Sequence, residues 1–296
     1  MPELPEVETV RRGLDKLVVH KTIQSMVSDT PKSLLTSIAT IDQFALGAHI
    51  VAVRRRAKVL LIDLSSEYTL MIHLKMTGQL VYIDKSDRFG AGHPNDSLIN
   101  ALPDKSTRVT TAFTDGSHLY FNDQRKFGWI KLLPTPLVPE DPFMQKVGPE
   151  PLEPSFTASV FIQRIQRRKG TTIKAALLDQ TVLAGIGNIY ADEALWGAQI
   201  HPAVRVRELD NAQLTKLHSE LTDVLRLSIE KGGSTDRNYV NAEGKKGSYI
   251  DFARVFRREG LPCPRCESII EKSRVAGRGT HTCNTCQLVP EEVLHG

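Results

Sequence analysis

Four cysteines near the carboxyl end place the strongest constraint on how this chain can fold. They form two C-x2-C pairs, Cys263 with Cys266 and Cys283 with Cys286, separated by sixteen residues. Paired turns of this spacing are typical of a hairpin that holds a tetrahedral structural zinc. Structural disulfides are rare in chains without a secretory signal, and a redox C-x-x-C motif needs no second pair. We therefore predict one structural Zn²⁺, which would fold a segment too short to bury its own core.

The composition indicates a soluble globular protein of the cytoplasm. Hydrophobic residues make up 41% of the 296 residues and charged residues 24%, and neither an apolar run of about 18 residues nor a signal-peptide pattern occurs. The net charge of +4 is too small to identify a nucleic-acid partner by itself. Separate basic clusters near predicted loops nevertheless favour a polyanion as partner; they lie at 54–58, 164–169, 254–258 and 272–278.

Two patterns of secondary structure predict an α+β protein of two domains. Short β-branched or alternating runs predict an antiparallel β-sandwich or barrel, flanked by an amino-terminal helix. These runs cover 50–53, 59–64, 70–74, 109–113, 119–121 and 129–133, with 87–94 interpreted as a turn. Seven prolines between positions 134 and 154 predict a linker without helix or central strand. Helical periodicity then predicts helices over 157–168, 173–179, 188–196 and 210–231.

The predicted domains follow this division of the sequence. We expect a β-sandwich domain over 1–133, the linker over 134–154, a helical domain over 155–250, the zinc finger over 251–290 and a tail over 291–296. The last long helix has Asp210 as its cap, Gly232 and Gly233 as its stop, and an apolar stripe of Leu214, Leu217, Leu221 and Val224. The polar, glycine-rich stretch 232–248 predicts a loop, either a lid or a plain connection.

The amino terminus carries the residues best suited to covalent chemistry. Removal of Met1 is expected because the second residue is small, and it would leave Pro2 with a free secondary amine. An α-amino group titrates near pH 8, so far more of it is unprotonated at neutral pH than a lysine side chain. Attack of this amine on an aldehyde would give a cationic iminium, which withdraws electrons from neighbouring bonds. Glu3 and Glu6 lie in the first turn of the predicted helix, where carboxylates are tolerated and can move protons.

The opening MPELPEVETVRRGL resembles that of the bacterial formamidopyrimidine-DNA glycosylases, which excise oxidised purines. Relatives that act on oxidised pyrimidines usually begin MPEGPE, so Leu4 favours the purine branch. The resemblance spans nearly all of 1–287 and includes the cysteine spacing. It implies a helix–two-turn–helix motif in the helical domain, damaged double-stranded DNA as partner, and one enzyme with both glycosylase and abasic-site lyase activity. We also expect a monomer with no membrane partner.

The resemblance assigns catalytic roles to four residues of this sequence. Pro2 would be the nucleophile that attacks the deoxyribose C1′, and Glu3 the proton donor and acceptor. Lys58 matches a lysine that assists the lyase chemistry and contacts DNA. Arg278 matches the zinc-finger arginine that binds phosphate and takes part in the second elimination.

Further residues are predicted to bind DNA. The loop 122–128 combines a phenylalanine with cations, which suits a wedge that unstacks bases. By resemblance, Met76, Arg125 and Phe127 fill the gap that the extruded nucleotide leaves. Asn188 follows a glycine-rich turn and is interpreted as a helix cap that grips a phosphate. The other predicted DNA-binding residues are Glu6, His73, Arg108, Lys169, Lys174, Thr235 and Arg237.

Four positions depart from the family pattern. Ala57 stands in place of the usual glycine of RRGK, and Ser106 in place of a DNA-contacting histidine. Asp236 takes a place that is usually apolar, which leaves base recognition by Thr235 and Arg237 open. Phe256 replaces a tyrosine and removes a hydroxyl group.

Two other functions remain open at this stage. A glycosylase for oxidised pyrimidines could use the same scaffold, and Leu4 argues against it only mildly. A zinc-finger protein that binds DNA without catalysis would result if Met1 stayed in place or Pro2 were blocked.

Overall fold

The alternating apolar residues of the first half of the chain form antiparallel strands in the computed structural model, which describes residues 2–28, 30–93, 95–234 and 249–289. The strands are β1 (Ile23–Ser28), β2 (Ile50–Arg56), β3 (Val59–Leu64), β4 (Tyr68–His73), β5 (Gly78–Ile83), β6 (Arg88–Gly92), β7 (Thr107–Phe113), β8 (His118–Asp123) and β9 (Trp129–Pro134). Within the described residues they form a five-stranded sheet of order β1–β7–β8–β5–β6 and a four-stranded sheet of order β2–β3–β4–β9.

Both sheets and helix α1 (Leu4–Val18) share one apolar core. Val7, Val10 and Leu14 of α1 are buried in the same cluster as Leu60 of the smaller sheet and Phe121 of the larger one. A shorter helix, α2 (Ile38–Phe44), is capped by Ser37, whose hydroxyl accepts the N–H of Thr40. The predicted sandwich with its flanking amino-terminal helix is therefore confirmed.

The interpretation of 87–94 as a turn is wrong, because β6 occupies most of it. Phe89 and Ala91 are buried in the core and pair with β5, with Gly90 between them and Gly92 after them. Gly92 has φ +125°, and a Cβ there would lie 2.4 Å from the Gly78 carbonyl oxygen. The strand was missed since its glycines, needed for close approach of the backbones, are residues that usually mark turns.

The proline-rich stretch also contains helix, against the prediction. A 3₁₀ helix covers Thr135–Glu140, and helix α3 covers Pro142–Lys146. Pro142 stands at the first helical position, where its missing N–H has no helical partner to lose. Val138 and Met144 are buried against Val59, Leu61 and Met71 on the outer face of the smaller sheet. That apolar face explains why the stretch folds back instead of forming an extended linker.

The described part of the second half of the chain is mainly helical up to the zinc-finger hairpin. Its helices are α4 (Ala158–Ile165), α5 (Ile173–Leu178), α6 (Asn188–Ala198) and α7 (Asn211–Glu230), with 3₁₀ turns at Gln166–Arg168, Val206–Glu208 and Tyr249–Phe252. The hairpin pairs β10 (Glu271–Val275) with β11 (Arg278–Thr282). None of the described helices is long and apolar enough to cross a membrane.

Helix α7 confirms the boundaries expected from its sequence. Asp210 Oδ1 accepts the N–H of Gln213 at 2.8 Å, and Gln213 Oε1 accepts the N–H of Asp210 at 3.0 Å, which makes a reciprocal cap. The four predicted stripe residues are fully buried. Gly232 and Gly233 follow the last turn with φ +79° and +87°.

Two units emerge from the contacts along the chain. The described part of the first comprises 2–145 and 231–234, and that of the second comprises 146–230 and 249–289. The boundary after Gln145 falls inside the predicted linker. The tail 291–296 lies outside the described residues, as do Thr235, Asp236 and Arg237 of the predicted lid.

Candidate functional site

The residues that follow Met1 are buried in the first unit. Pro2 is buried, Glu3 is 4% exposed, and Leu4 is fully buried. The backbone N–H of Glu3 donates to Glu6 Oε2 at 2.8 Å, so the Glu6 carboxylate satisfies one of the free N–H groups at the start of α1. Pro2 is thereby fixed immediately ahead of the positive end of a helix, where a neutral amine is favoured over a protonated one.

Glu6 also binds the segment that follows α7. The N–H of Ser234 donates to Glu6 Oε1 at 2.8 Å, across 228 positions of sequence. A Cβ on Gly233 would lie 3.3 Å from the same oxygen, and the φ of this glycine is +87°. The base of the predicted lid is therefore held beside Glu6. Sequence reasoning missed Gly233 and Ser234 as partners of Glu6, because no local pattern links them.

Lys58 lies in the tight turn between β2 and β3. Ala57 precedes it with φ +54°, a left-handed conformation that costs a non-glycine residue about 1–2 kcal/mol. The alanine that replaces the usual glycine therefore keeps the turn but strains it. Lys58 itself is 4% exposed.

His73 ends β4 beside Lys58, since Val59 and His73 are paired across the strands. Its Nδ1 accepts the N–H of Lys75 at 2.9 Å, which leaves the proton of the neutral ring on Nε2. Phe143, from the proline-rich stretch, packs edge-on against the ring at a centroid distance of 5.4 Å. Burial lowers the pKa of His73 to about 3, and the charges of Lys75 and Lys58 act in the same direction. His73 is thus a neutral hydrogen-bonding group at physiological pH.

The depressed pKa of His73 predicts acid sensitivity of the first unit. Below pH 6.5 the unfolded chain takes up a proton that the folded chain refuses until about pH 3, so stability falls as pH falls through this window. Replacing His73 by Asn, whose Oδ1 can still accept the Lys75 N–H, removes the linkage. Between pH 4.5 and 5.5, the free energy of unfolding measured in urea should fall more steeply with decreasing pH in the parent than in His73→Asn. We expect the two slopes to differ by about 1.4 kcal/mol per pH unit. Equal slopes in the two proteins would show that His73 titrates normally.

The predicted gap-filling residues lie on two neighbouring turns of the first unit. The Met76 turn (residues 74–77) connects β4 to β5, and the Phe127 loop (residues 124–128) connects β8 to β9. They are adjacent because β4 pairs with β9 and β5 pairs with β8. The Met76 side chain is 39% exposed and that of Phe127 is 54% exposed, which is unusual for large apolar groups. The guanidinium of Arg125 lies 4.8 Å from the centroid of the Phe127 ring.

The Arg108 side chain donates hydrogen bonds to backbone carbonyl groups of the protein. Its Nε donates to the carbonyl of Asp123 at 2.8 Å and a terminal nitrogen donates to that of Lys105 at 3.0 Å, and the residue is buried. Ser106, where the family pattern has histidine, is buried too. Its hydroxyl donates to Asp104 at 2.6 Å and lies 2.9 Å from the hydroxyl of Ser97. The serine side chain therefore belongs to a hydrogen-bond network with Ser97 and Asp104.

In the second unit, Asn188 is the first residue of α6, so the prediction that it caps the helix is wrong. Gly187 occupies the cap position without a side chain. The preceding turn is held instead by Gln180, whose Oε1 accepts the Gly185 N–H at 2.9 Å and whose Nε2 donates to the Ile186 carbonyl at 2.7 Å. Asn188 Nδ2 donates to the carbonyl of Gly279 at 2.9 Å, which places it next to Arg278 on the hairpin.

Lys174 is fully buried, which argues against the predicted DNA contact for its side chain. Its ammonium pairs with Asp192 at 2.6 Å and donates to the Thr280 hydroxyl at 2.8 Å. Asp192 also accepts the N–H of His281 at 3.0 Å. Lys174 and Asp192 therefore join α5 and α6 to the zinc-finger hairpin. A buried ion pair leaves no local sequence pattern, so the burial of Lys174 could not be predicted from the sequence.

The neighbouring carboxylate of Glu193 fixes the chain that enters the finger. It accepts the backbone N–H groups of Arg254, Val255 and Phe256 at 2.8–2.9 Å. The ring of Phe256 packs against that of His281 at 5.2 Å, so the phenylalanine that replaces a tyrosine is used in packing. Lys169 and Arg278, in contrast, are exposed at the surface of the unit.

The four cysteines meet as the sequence predicts. Their Sγ atoms all lie within 4.8 Å of one another, with 3.9 Å between Cys263 and Cys286 and 3.4 Å between Cys266 and Cys283. A tetrahedral zinc with Zn–S bonds of about 2.3 Å requires sulfurs about 3.8 Å apart, so the set fits this ion. The indole N–H of Trp196 on α6 donates to Cys263 Sγ at 3.4 Å, which stabilises a thiolate. His281 is not part of the cluster.

Comparison with known proteins agrees with this arrangement over the whole chain. Residues 1–130 match the formamidopyrimidine-DNA glycosylase N-terminal domain, 147–239 its H2TH domain, and 260–289 the zinc finger found in FPG and IleRS. The formamidopyrimidine-DNA glycosylase of Desulforamulus reducens is 40% identical over 97% of this chain and 99% of its own. That of Streptococcus pneumoniae is 41% identical over 97% and 99%.

Solved structures give the same result. A Lactococcus lactis FPG mutant in complex with Fapy-dG-containing DNA has a TM-score of 0.86 and 34% identity, over 97% of this chain and 100% of that one. The Lactococcus lactis Fpg in complex with abasic-site DNA has a TM-score of 0.85, with the same identity and coverage. The chain belongs to the formamidopyrimidine-DNA glycosylase family.

Proposed function

We propose that this protein removes oxidised purines, namely 8-oxoguanine and formamidopyrimidines, from duplex DNA and then cuts the strand at the resulting abasic site. The observation that carries the proposal is the buried Pro2–Glu3 pair, fixed at the start of α1. A terminus that only connected the chain to solvent would have no reason to be enclosed and hydrogen-bonded. We further propose that the protein acts as a monomer in the cytoplasm, on the DNA of the nucleoid.

Base removal requires an unprotonated Pro2, which removal of Met1 would expose. The nitrogen lone pair forms a bond to C1′ of the extruded nucleotide, and the C1′–N9 bond breaks with its electron pair leaving on the base. The Pro2 nitrogen then loses its N–H proton, and the base takes up that proton. Glu3 then gives a proton to the ring oxygen O4′ while the C1′–O4′ bond breaks. The product is an open-chain sugar joined to Pro2 as an iminium, formed with no added redox partner.

Strand cleavage follows from the electron demand of that iminium. Loss of a C2′ proton, which the Glu3 carboxylate accepts, drives the C3′–O3′ bond to break, and the 3′ phosphate leaves with the bonding pair. Loss of a C4′ proton to water then drives the C5′–O5′ bond to break, and the 5′ phosphate leaves with the bonding pair. Water finally hydrolyses the iminium and frees Pro2, so a one-nucleotide gap remains. In this scheme Lys58 and the neutral His73 supply donors near the reacting sugar and its phosphates, and Arg278 assists the second elimination.

DNA is held by groups of both units. Met76, Arg125 and Phe127 fill the space that the extruded nucleotide leaves, because an attacking group cannot reach C1′ inside the base stack. Asn188, which donates to the Gly279 carbonyl, and the preceding Arg278 would bind the phosphate backbone, with Lys169 as a further cation. Zinc, when bound to the four cysteines, supplies the fold of the hairpin that presents Arg278.

Borohydride trapping tests the proposal directly. Purified protein without Met1 is mixed with a duplex that contains 8-oxoguanine, and borohydride reduces the iminium to a stable amine. We expect one covalent complex, with mass spectrometry locating the link on Pro2. The absence of a complex, together with intact lesion-bearing DNA, would leave only a zinc-containing DNA-binding protein.

The same assay separates the two lesion classes. Duplexes with 8-oxoguanine or with an oxidised pyrimidine are compared under single-turnover conditions. Faster cleavage of the 8-oxoguanine duplex is expected. Faster cleavage of the pyrimidine lesion would move the assignment to the other branch of the scaffold.

A further inference from the structure

Asp123, the last residue of β8, is a fully buried carboxylate whose hydrogen bonds all lead to the two turns described above. The Thr77 hydroxyl of the Met76 turn donates to Oδ1. From the Phe127 loop, the N–H of Arg125 donates to the same oxygen at 3.2 Å and the N–H of Gly128 donates to Oδ2 at 2.6 Å. A buried carboxylate is tolerated only when such donors compensate for its lost hydration.

The backbone of Asp123 is fixed as firmly as its side chain. Its N–H donates to the carbonyl of Ser106 at 2.8 Å, and its carbonyl accepts Arg108 Nε at 2.8 Å. Gly128 closes the loop tightly, since a Cβ there would lie 2.7 Å from the Phe121 ring and 3.1 Å from Asp123 Oδ2. The Phe127 loop therefore cannot slide along β8 without breaking these contacts.

The Thr77 hydroxyl is the direct link between the two turns. It donates to Asp123 and also accepts the N–H of Arg125 at 3.1 Å. Thr77 is next to Met76 in the chain, and Arg125 is the residue whose guanidinium lies over the Phe127 ring. One buried carboxylate and one hydroxyl thus set the distance between the exposed side chains of the two turns.

We propose that Asp123 and Thr77 are positioning residues that make Met76, Arg125 and Phe127 act as a single wedge. The inference rests on the proposed function, in which these side chains enter the DNA stack. Two turns that are already joined lose no further conformational entropy relative to each other when they insert into DNA. Two independent turns would lose this entropy at each encounter with DNA. Neither residue touches the reacting nucleotide in this scheme, so both would act through the wedge.

The experiment uses isosteric changes at Thr77 in the full-length protein. Thr77→Val removes the hydroxyl at nearly constant volume, and Thr77→Ser keeps it. Thr111→Val makes the same change at a buried position of β7 that lines the sandwich core, away from both turns. Excision of 8-oxoguanine from a duplex requires the wedge, because the opposite base must be supported. Cleavage of an abasic site in single-stranded DNA does not require it, because there is no opposite base.

We expect Thr77→Val to slow single-turnover excision from the duplex about tenfold. The reason is that the buried Asp123 carboxylate loses a hydrogen-bond donor and the Arg125 N–H loses an acceptor. Cleavage of the single-stranded abasic site should change less than about twofold. Thr77→Ser and Thr111→Val should match the parent on both substrates. Asp123→Asn, which replaces one acceptor oxygen by a donor, should reproduce the selective loss.

A direct readout of insertion completes the test. 2-Aminopurine beside an uncleavable abasic analogue brightens when its stacking is broken, and we expect this rise to be slower in Thr77→Val. Equal loss on both DNA substrates, with a lower melting temperature, would mean that the carboxylate is only structural and would overturn the proposal. So would full duplex activity of Thr77→Val. Failure of the parent protein to form a trapped complex would instead refute the proposed function itself.

Discussion

A protein with one alanine inserted ahead of Pro2 is expected to bind lesion-bearing duplex DNA and to form no covalent complex with it. Removal of Met1 would then expose the alanine, and the Pro2 nitrogen would become part of a peptide bond, whose lone pair is delocalised into the carbonyl group. Every side chain of the site would be unchanged. We expect base excision and borohydride trapping to fall about a thousandfold or more, because the nucleophile is lost outright.

Binding should survive the insertion. An additional residue ahead of Pro2 removes none of the groups of α1 and leaves the hydrogen bond from the Glu3 N–H to Glu6 available. Affinity for a duplex with an uncleavable abasic analogue should therefore stay within about threefold of the parent, as expected for a change outside the phosphate and base contacts. Pro2→Gly is the matched control: it keeps a free amine, but a primary one, and should be weakened rather than inactive. Undiminished trapping by the alanine-extended protein would place the nucleophile on another residue.

The sequence predicts those parts of the fold that rest on local periodicity. Strand β3, helix α7 with its Asp210 cap, and the four-cysteine cluster agree with the sequence because each carries a local pattern typical of its structure. Strand β6 and the short helices of the proline-rich stretch were missed. Their stability comes from a partner strand and from an apolar sheet face, and neither of these is visible in the local sequence.

The residues of the candidate site show the same difference between local and non-local signals. Residues with a short motif around them, such as Pro2, Glu3 and Phe127, could be selected from sequence, although their roles stay predictions. Thr77 and Asp123 lie 46 positions apart and could not be connected without the strand pairing of β5 with β8. Lys174 shows the opposite error, since it is predicted to bind DNA while its ammonium is fully buried against Asp192. Charge is read from sequence, but burial is decided by tertiary packing.

Loss of zinc is expected to unfold the hairpin and to remove its share of DNA binding. A structural zinc contributes roughly 10–16 kcal/mol of apparent binding free energy in isolated fingers, more than a short hairpin can replace by packing. In Cys266→Ser we expect zinc content to fall from one ion per chain to near zero. The amides of Glu271–Thr282 should lose protection from hydrogen exchange, whereas those of α7 should keep theirs.

The effect on DNA should be visible in the salt dependence of binding. Arg278 is exposed on β11 and next to Asn188, and each lost phosphate contact lowers the slope of log affinity against log salt by about 0.9. Arg278→Gln, with zinc retained, should reduce the slope by about one, and Cys266→Ser should reduce it by at least as much. Cys266→His is the matched control, because it removes the same thiol but offers zinc a nitrogen ligand, and it should keep both metal and slope. An unchanged slope in metal-free Cys266→Ser protein would mean that the hairpin does not bind DNA, and that α6 and the first unit hold the duplex alone.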